Sequence, residues 1–270
     1  MSSDKAAAFG GSLAEYYDRY LVPMNFAPYA DVVAERVAQL RPRRILETAA
    51  GTGVLTEALA RTVPSDTTIT ATDLNQAMID LGKTRPGMAR VTWQQADALK
   101  LPFDDGAFEL IVCQFGVMFF PDRRVSFREC WRLLSRGGTY LFVVWDGWAT
   151  QPDAPLGIAN RTVGAVLKRD PNTLGSPGYF DETVIRADLA AAGFQAATVE
   201  RVTRPARAAT AREAAVIVVH GSLLRTAIEA SDPSRLGEAT DAVEAALSAR
   251  FGPGAVDGQN RALIVTATRV

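Results

Sequence analysis

At 270 residues and 48% apolar content, the chain can bury a full core, as one large domain or one domain with a cap. Its formal net charge of −1 at pH 7 supplies no overall basic field for nucleic acid or for an anionic membrane surface. The two cysteines, Cys113 and Cys130, lie in apolar surroundings without metal-type spacing, which reads as two reduced core thiols.

Residues 1–11 carry no apolar core of the kind a signal peptide needs. Next comes an aromatic-rich helical stretch around residues 14–29, with Tyr17, Tyr20 and Phe26. From residue 43 to about 146, strand-like and helix-like segments alternate, the pattern of a parallel sheet with helices on both faces. The strands expected are Arg44–Thr48, Thr67–Asp73, Val91–Gln95, Phe108–Phe115 and Thr139–Trp145, with helices at Val54–Arg61, Gln76–Lys83 and Asp122–Leu134. Arg136-Gly137-Gly138 is expected to end the last of these helices. Leu110–Phe120 is the longest apolar run, but it is too short to span a bilayer and is broken by Gln114 and Gly116. A soluble cytoplasmic protein with no membrane insertion is therefore expected.

Beyond residue 146 a stretch with Pro, Gly and Asn contains a short helix near Leu156–Leu167. Asp181–Ala192 reads as a helix capped by Asp181, with an apolar stripe of Val184, Ile185, Leu189 and Ala192. Strands are expected at Gln195–Val202 and Ala262–Ala267, and the residues between them are mostly helical in character (Ala214–Leu224, Arg235–Phe251). That span is far longer than a hairpin connection. The expected division is thus a helical lid over 1–42, a core over 43–206 and 258–270, and a helical cap inserted over 207–257.

The most informative stretch is residues 43–53, where a short apolar strand ends at Glu47 and a turn containing Ala49, Gly51 and Gly53 leads directly into a helix. A strand, a glycine turn and a helix amino terminus form a cradle: the backbone can come close to a ligand and free N–H groups point at it. An acid at the strand end suits a cationic or hydroxyl-rich partner better than a bare pyrophosphate. The nicotinamide fingerprint Gly-x-Gly-x-x-Gly fails in both frames, reaching Thr56 from Gly51 and Val54 from Ala49. The pattern acid-x-Gly-x-Gly-x-Gly, by contrast, is matched by Glu47, Gly51 and Gly53, with Ala49 in place of its first glycine.

Here the chain resembles the class I S-adenosylmethionine (SAM)-dependent methyltransferases. Downstream spacing extends the likeness. Asp73 ends the second strand twenty residues after Gly53, where a carboxylate can accept from both hydroxyls of a ribose. The segment from Gln95-Ala96-Asp97-Ala98 through Leu101-Pro102-Phe103 to Phe108-Glu109 is similar to the family's Gly-Asp-Ala…Leu-Pro-Phe…Phe-Asp. The resemblance implies a Rossmann-like, doubly wound, seven-stranded and mostly parallel α/β sheet whose last strand is antiparallel. It also implies that Asp97 accepts from the adenine amino group, that the Ala98 N–H meets a ring nitrogen, and that Leu74 and Met78 flank the purine. Gln114 ends the fourth strand, at the same edge of the sheet as Glu47, Asp73 and Asp97. In similar enzymes an amino-terminal helix closes over the cofactor, a role open to Tyr17, Tyr20 or Phe26. Within the family the likeness is strongest to the small-molecule branch typified by quinone-biosynthesis C-methyltransferases.

The expected activity is transfer of a methyl group from SAM, with S-adenosylhomocysteine (SAH) as product, to O, N or C of a small, partly hydrophobic acceptor. The alternative is a fold relative that binds SAM for other chemistry or for regulation. His220, the only histidine, is a candidate base in the cap, and Tyr179 and Asp181 are further candidates. No cluster of acids and histidines suits a metal. Arg201, Arg204, Arg207 and Arg212 read as a solvated face rather than a nucleic-acid strip. The number of subunits stays open, a homodimer being one option.

Overall fold

The computed structural model of the chain describes residues 12–174, 178–252 and 254–270. The expectations for residues 1–11 lie outside that range. Seven strands form one sheet in the order β3-β2-β1-β4-β5-β7-β6: β1 Arg44–Thr48, β2 Thr68–Asp73, β3 Val91–Gln95, β4 Phe108–Gln114, β5 Leu134–Trp145, β6 Ala197–Ala208 and β7 Val256–Thr268. The first five are parallel neighbours, and β7 runs antiparallel to both β5 and β6. This is the expected doubly wound sheet. Its centre is covered on both faces, so β4 and β5 are continuous apolar runs whose residues from Leu110 to Cys113 and from Leu141 to Val144 are at most 1% exposed.

The strand order reverses between β1 and β4, so the carboxyl ends of these two strands flank a crevice. Over that edge lies an amino-terminal helical segment: α1 Ser12–Tyr16, a π-helical stretch Tyr17–Phe26 and α2 Ala27–Leu40. Pro23 lies inside the π-helical stretch. Because proline has no N–H to donate and crowds the preceding turn, a wider helical turn there has a local cause. Arg85 fastens this segment down: its Nη2 donates to Asp18, its Nη1 to Glu57 Oε2 at 2.8 Å and its Nε to the carbonyl of Thr52 at 2.5 Å. At the other end, the Asn260 Nδ2 of β7 donates to Asn25 Oδ1 at 2.8 Å and Tyr29 Oη donates to the carbonyl of Asn260.

The remaining helices are α3 Val54–Thr62, α4 Gln76–Gly82, α5 Arg123–Leu133, α6 Pro155–Leu167, α7 Glu182–Ala191, α8 Ala211–Gly221, α9 Leu223–Ser231 and α10 Leu236–Phe251. Three details depart from expectation. Chain direction changes at Leu134, whose extended backbone ends α5 and starts β5, so Arg136-Gly137-Gly138 lies within the strand, where the pairing register with β4 shifts. Val184 is 45% exposed, so the buried residues of α7 are Ile185, Asp188 and Leu189, with Ala192 buried just beyond its end. The last two strands are much longer than their apolar segments: a ladder from Ala197↔Ala267 to Ala208↔Val256 carries both beyond the buried core. The helices between them therefore occupy a shorter span than 207–257, and the expected helix Ala214–Leu224 is broken at Ser222, whose hydroxyl caps α9.

The arginines noted above are mostly ion-paired, Arg201 with Glu182, Arg207 with Asp257, and Arg212 with Asp241 and Glu244. Among the described residues, no single helix is long and apolar enough to cross a membrane; α8 and α9 reach that length only as a pair bent by 72°. Cys113 and Cys130 are both buried and unbridged.

Candidate active site

The β1–α3 turn owes its shape to three consecutive local choices. Ala49 and Gly51 both adopt positive φ, +51° and +56°, and Gly53 follows at +80°. At Gly51 an added Cβ would meet no atom within 4 Å, so the turn faces open space there. Gly53 has another purpose: a Cβ would lie 2.9 Å from the ring of Trp93, so this glycine lets the start of α3 seat against β3. Gly116 lies across from the turn, and a Cβ on it would approach Ala49 Cβ to 2.5 Å. The absence of a side chain at 116 thus makes room for the alanine at 49.

Asp73 ties the second strand to this turn. Its Oδ2 accepts from the Gly51 N–H at 2.8 Å and its Oδ1 from the Asn75 N–H at 2.8 Å. Burial raises its pKa, against the pull of these N–H groups. Glu47 is 1% exposed and accepts from Thr56 Oγ1 at 2.7 Å. Burial pushes its carboxyl up to about 8, with the Thr56 hydroxyl opposing and the Asp73 charge adding. Asp97 is exposed, and its Oδ1 accepts from the Leu99 N–H at 2.9 Å.

A single cavity of about 300 Å³ joins these groups. Glu47, Ala49, Gly51, Asp73, Leu74, Met78, Asp97, Ala98 and Gln114 all line it. Leu74 is 42% exposed at its mouth and Met78 is buried. Two expected contacts do not reach it. Tyr20 packs at a tilt against Tyr16, with ring centroids 4.7 Å apart, and the lid instead contributes Tyr17, Leu21, Asn25 and Phe26. Gly53 is taken up by its packing on Trp93.

Nor is His220 part of the cavity lining. It projects from α8 towards α10, its Nε2 3.0 Å from Thr240 Oγ1, and burial lowers its pKa. The structure thus places it outside the cavity, on a helical face that packs on another helix. Tyr179 is buried with its hydroxyl donating to Asp188 Oδ2 at 3.1 Å, and Asp181 caps α7. Both are structural.

The cavity has a second wall. Beyond the cradle the cavity continues between the tip of β5, α6 and the α8–α9 junction, lined by Phe115, Trp145, Trp148, Leu156, Asn160, Leu223 and Leu224. Phe115 stacks on Trp145 at 4.0 Å and has a positive φ of +58°. That conformation is rare for a bulky residue, and such outliers cluster at functional sites. The titratable side chains among the lining residues, Tyr17, Glu47, Asp73 and Asp97, come from the lid and the tips of β1, β2 and β3. The wall formed by β5, α6, α8 and α9 has none.

Residues 45–138 match the family model for the methyltransferase domain. A demethylmenaquinone methyltransferase from Deinococcus radiodurans is 34% identical over 99 residues, which cover 36% of this chain and 41% of that protein. The chain spans about two-fifths of the length of the curated relatives it matches first. Among solved structures, the YcgJ protein of Bacillus subtilis superposes with a TM-score of 0.56 at 19% identity, covering 90% of this chain and 99% of that one. The [4+2]-cyclase SpnF superposes with a TM-score of 0.52 at 18% identity, covering 89% and 82%. Both show a shared fold.

Proposed function

We propose that this chain, with its methyltransferase domain at residues 45–138, is an SAM-dependent methyltransferase acting on a small, partly hydrophobic organic acceptor. The observation that carries the reading is the convergence, on one cavity, of acids from three neighbouring strand tips with an open glycine turn. The residues fit the cofactor. Gly51 leaves room for close approach, and Gln114 Oε1 is a buried acceptor without a protein partner. When bound, SAM supplies a methyl already activated as a sulfonium, and SAH is left as product.

The chain's own residues bind, orient and exclude water. Asp73 accepts from the ribose hydroxyls while keeping its grip on the Gly51 N–H. Asp97 and the Ala98 N–H meet the adenine edge, with Leu74 and Met78 on the purine faces. Glu47, ionised by a cationic partner, faces the amino acid end. The lid, held by Arg85, closes over the cradle and keeps water out. The apolar wall aligns the acceptor with the methyl, and such alignment contributes roughly 7–11 kcal/mol towards the barrier. That wall offers the acceptor no titratable group to take its proton. This favours acceptors nucleophilic without a strong base, such as a readily ionised hydroxyl, a neutral amine or an activated ring carbon. The similarity to a demethylmenaquinone methyltransferase makes an electron-rich aromatic ring the first class to test.

The decisive experiment incubates the protein with methyl-tritiated SAM and fractionated metabolite extracts. Label entering a product one methylene heavier supports the reading. Tight SAH binding with no transfer into any fraction favours the second reading, a fold relative with other chemistry, for which SpnF is the structural precedent.

A further inference from the structure

Helix α6, from Pro155 to Leu167, is apolar on the face it turns to the cavity, with one exception. Asn160 sits in its middle, 5% exposed and in the cavity lining. Asparagine is a poor residue for a helix interior, since its side chain competes for backbone hydrogen bonds. Its Nδ2 donates to the carbonyl of Leu156, one turn earlier, at 2.8 Å. That contact fixes the amide's orientation, because a carbonyl can only accept. Oδ1 is then the atom left over, and it has no hydrogen-bond partner.

The other amide and hydroxyl side chains on this side of the cavity are spoken for. Asn25 is held by Asn260, and the Ser222 hydroxyl donates to the carbonyl of Val218 while capping α9. A buried acceptor left unpaired is costly, and native proteins keep few without a reason. The same cavity is lined by Trp145, Trp148, Leu156, Leu223 and Leu224, which suit a flat apolar body.

We propose that Asn160 Oδ1 is the specificity contact for the methyl acceptor, taking a hydrogen bond from an O–H or N–H donor on a small aromatic molecule. The inference rests on the methyltransferase reading for the identity of the ligand, not for the presence of the site. A site built to hold a donor rejects the analogue lacking it, because its own acceptor is then left unpaired.

The test uses the SAH-loaded protein with two probes of nearly equal shape, phenol and toluene, their affinities followed by ligand-observed NMR. Asn160→Leu is expected to weaken phenol about tenfold relative to toluene, the worth of one neutral hydrogen bond. It is also expected to leave SAH affinity unchanged and the melting temperature unchanged or higher, since an unpaired polar group is removed. A merely structural asparagine would instead lower the melting temperature and leave the phenol-to-toluene ratio alone. Asn160→Ala, which cannot clash, is read the same way should leucine overpack the site. An unchanged ratio in both variants, or no binding of either probe, overturns the proposal. Failure of SAH itself to bind the wild-type protein is a separate outcome and counts against the cofactor reading.

Discussion

The two walls of the cavity are built on opposite principles. The cradle at the tips of β1, β2 and β3 is polar, held together by backbone N–H groups on carboxylates, and made from a nearly contiguous stretch of chain, residues 47–98. The opposite wall is aromatic and aliphatic, without a titratable side chain, and assembled from β5, α6 and the α8–α9 junction. On the proposed reading, one wall recognises a charged, hydroxyl-rich molecule by matched hydrogen bonds. The other selects by shape and by very few polar atoms, and such a wall can change its ligand without disturbing the cradle.

The sharpest way to break that contrast is Asp73→Ala. The carboxylate holds the Gly51 turn and lines the cavity, so on the proposed reading SAH affinity should fall roughly 10- to 100-fold by calorimetry. Unchanged affinity would refute the assignment. Next comes Gly116→Ala, whose Cβ would press on Ala49 Cβ at 2.5 Å and Cys113 Sγ at 2.7 Å, both held by the packed interior. Overpacking of this kind costs about 1–3 kcal/mol, read in denaturant titrations, and SAH affinity should drop with it. Gly51→Ala faces open space and strains only the backbone, at about 1–2 kcal/mol. If Gly51→Ala proves the more damaging to stability, the packing of the turn is misread.

A pH series sharpens the electrostatic side. Glu47 has its folded pKa raised to about 8, above its ordinary value of 4.5. The folded state therefore binds the proton more tightly than the unfolded one. The stability this contributes is fully present below about pH 4.5 and is lost as pH rises towards 8. The free protein should melt lower at pH 8.5 than at pH 6. A cationic group beside Glu47 favours the ionised form, so the stabilisation by SAH should grow over the same interval. A stabilisation that shrinks as pH rises would contradict this account of Glu47.

The smallest effect is expected at His220. His220→Ala removes one hydrogen bond to Thr240, whose hydroxyl still donates to the carbonyl of Leu236 at 2.7 Å. The loss should be about 1 kcal/mol or less, with turnover near normal. A hundredfold drop in turnover would return the histidine to the chemistry.

How much of this could be read from residue order follows the same division. The β1–α3 turn, the acid twenty residues later and the third-strand motif are local signals, and the sheet order follows once βαβ units are recognised. The apolar wall has no local signature. Trp145, Asn160 and Leu224 lie 15 and 64 positions apart in turn, and only the fold brings them to one cavity. His220 drew attention because a histidine in an apolar run suggests a base, yet the facing helix decides its role. Tyr20 and Tyr17 are three positions apart on a segment whose π-helical turns rotate side chains away from α-helical positions, so spacing alone could not choose between them. The long β6–β7 ladder was underestimated because its distal half carries Arg204, Arg207, Asp257 and Gln259, which do not look like a buried strand.

The central claim is that the strand-tip cavity is a cofactor site for SAM. Calorimetric titration of the full chain with SAH tests it most directly. A saturable one-to-one isotherm, weakened by Asp73→Ala and untouched by Asn160→Leu, is the result this account predicts. A flat titration with SAH and with SAM, on protein that melts cooperatively, would contradict it.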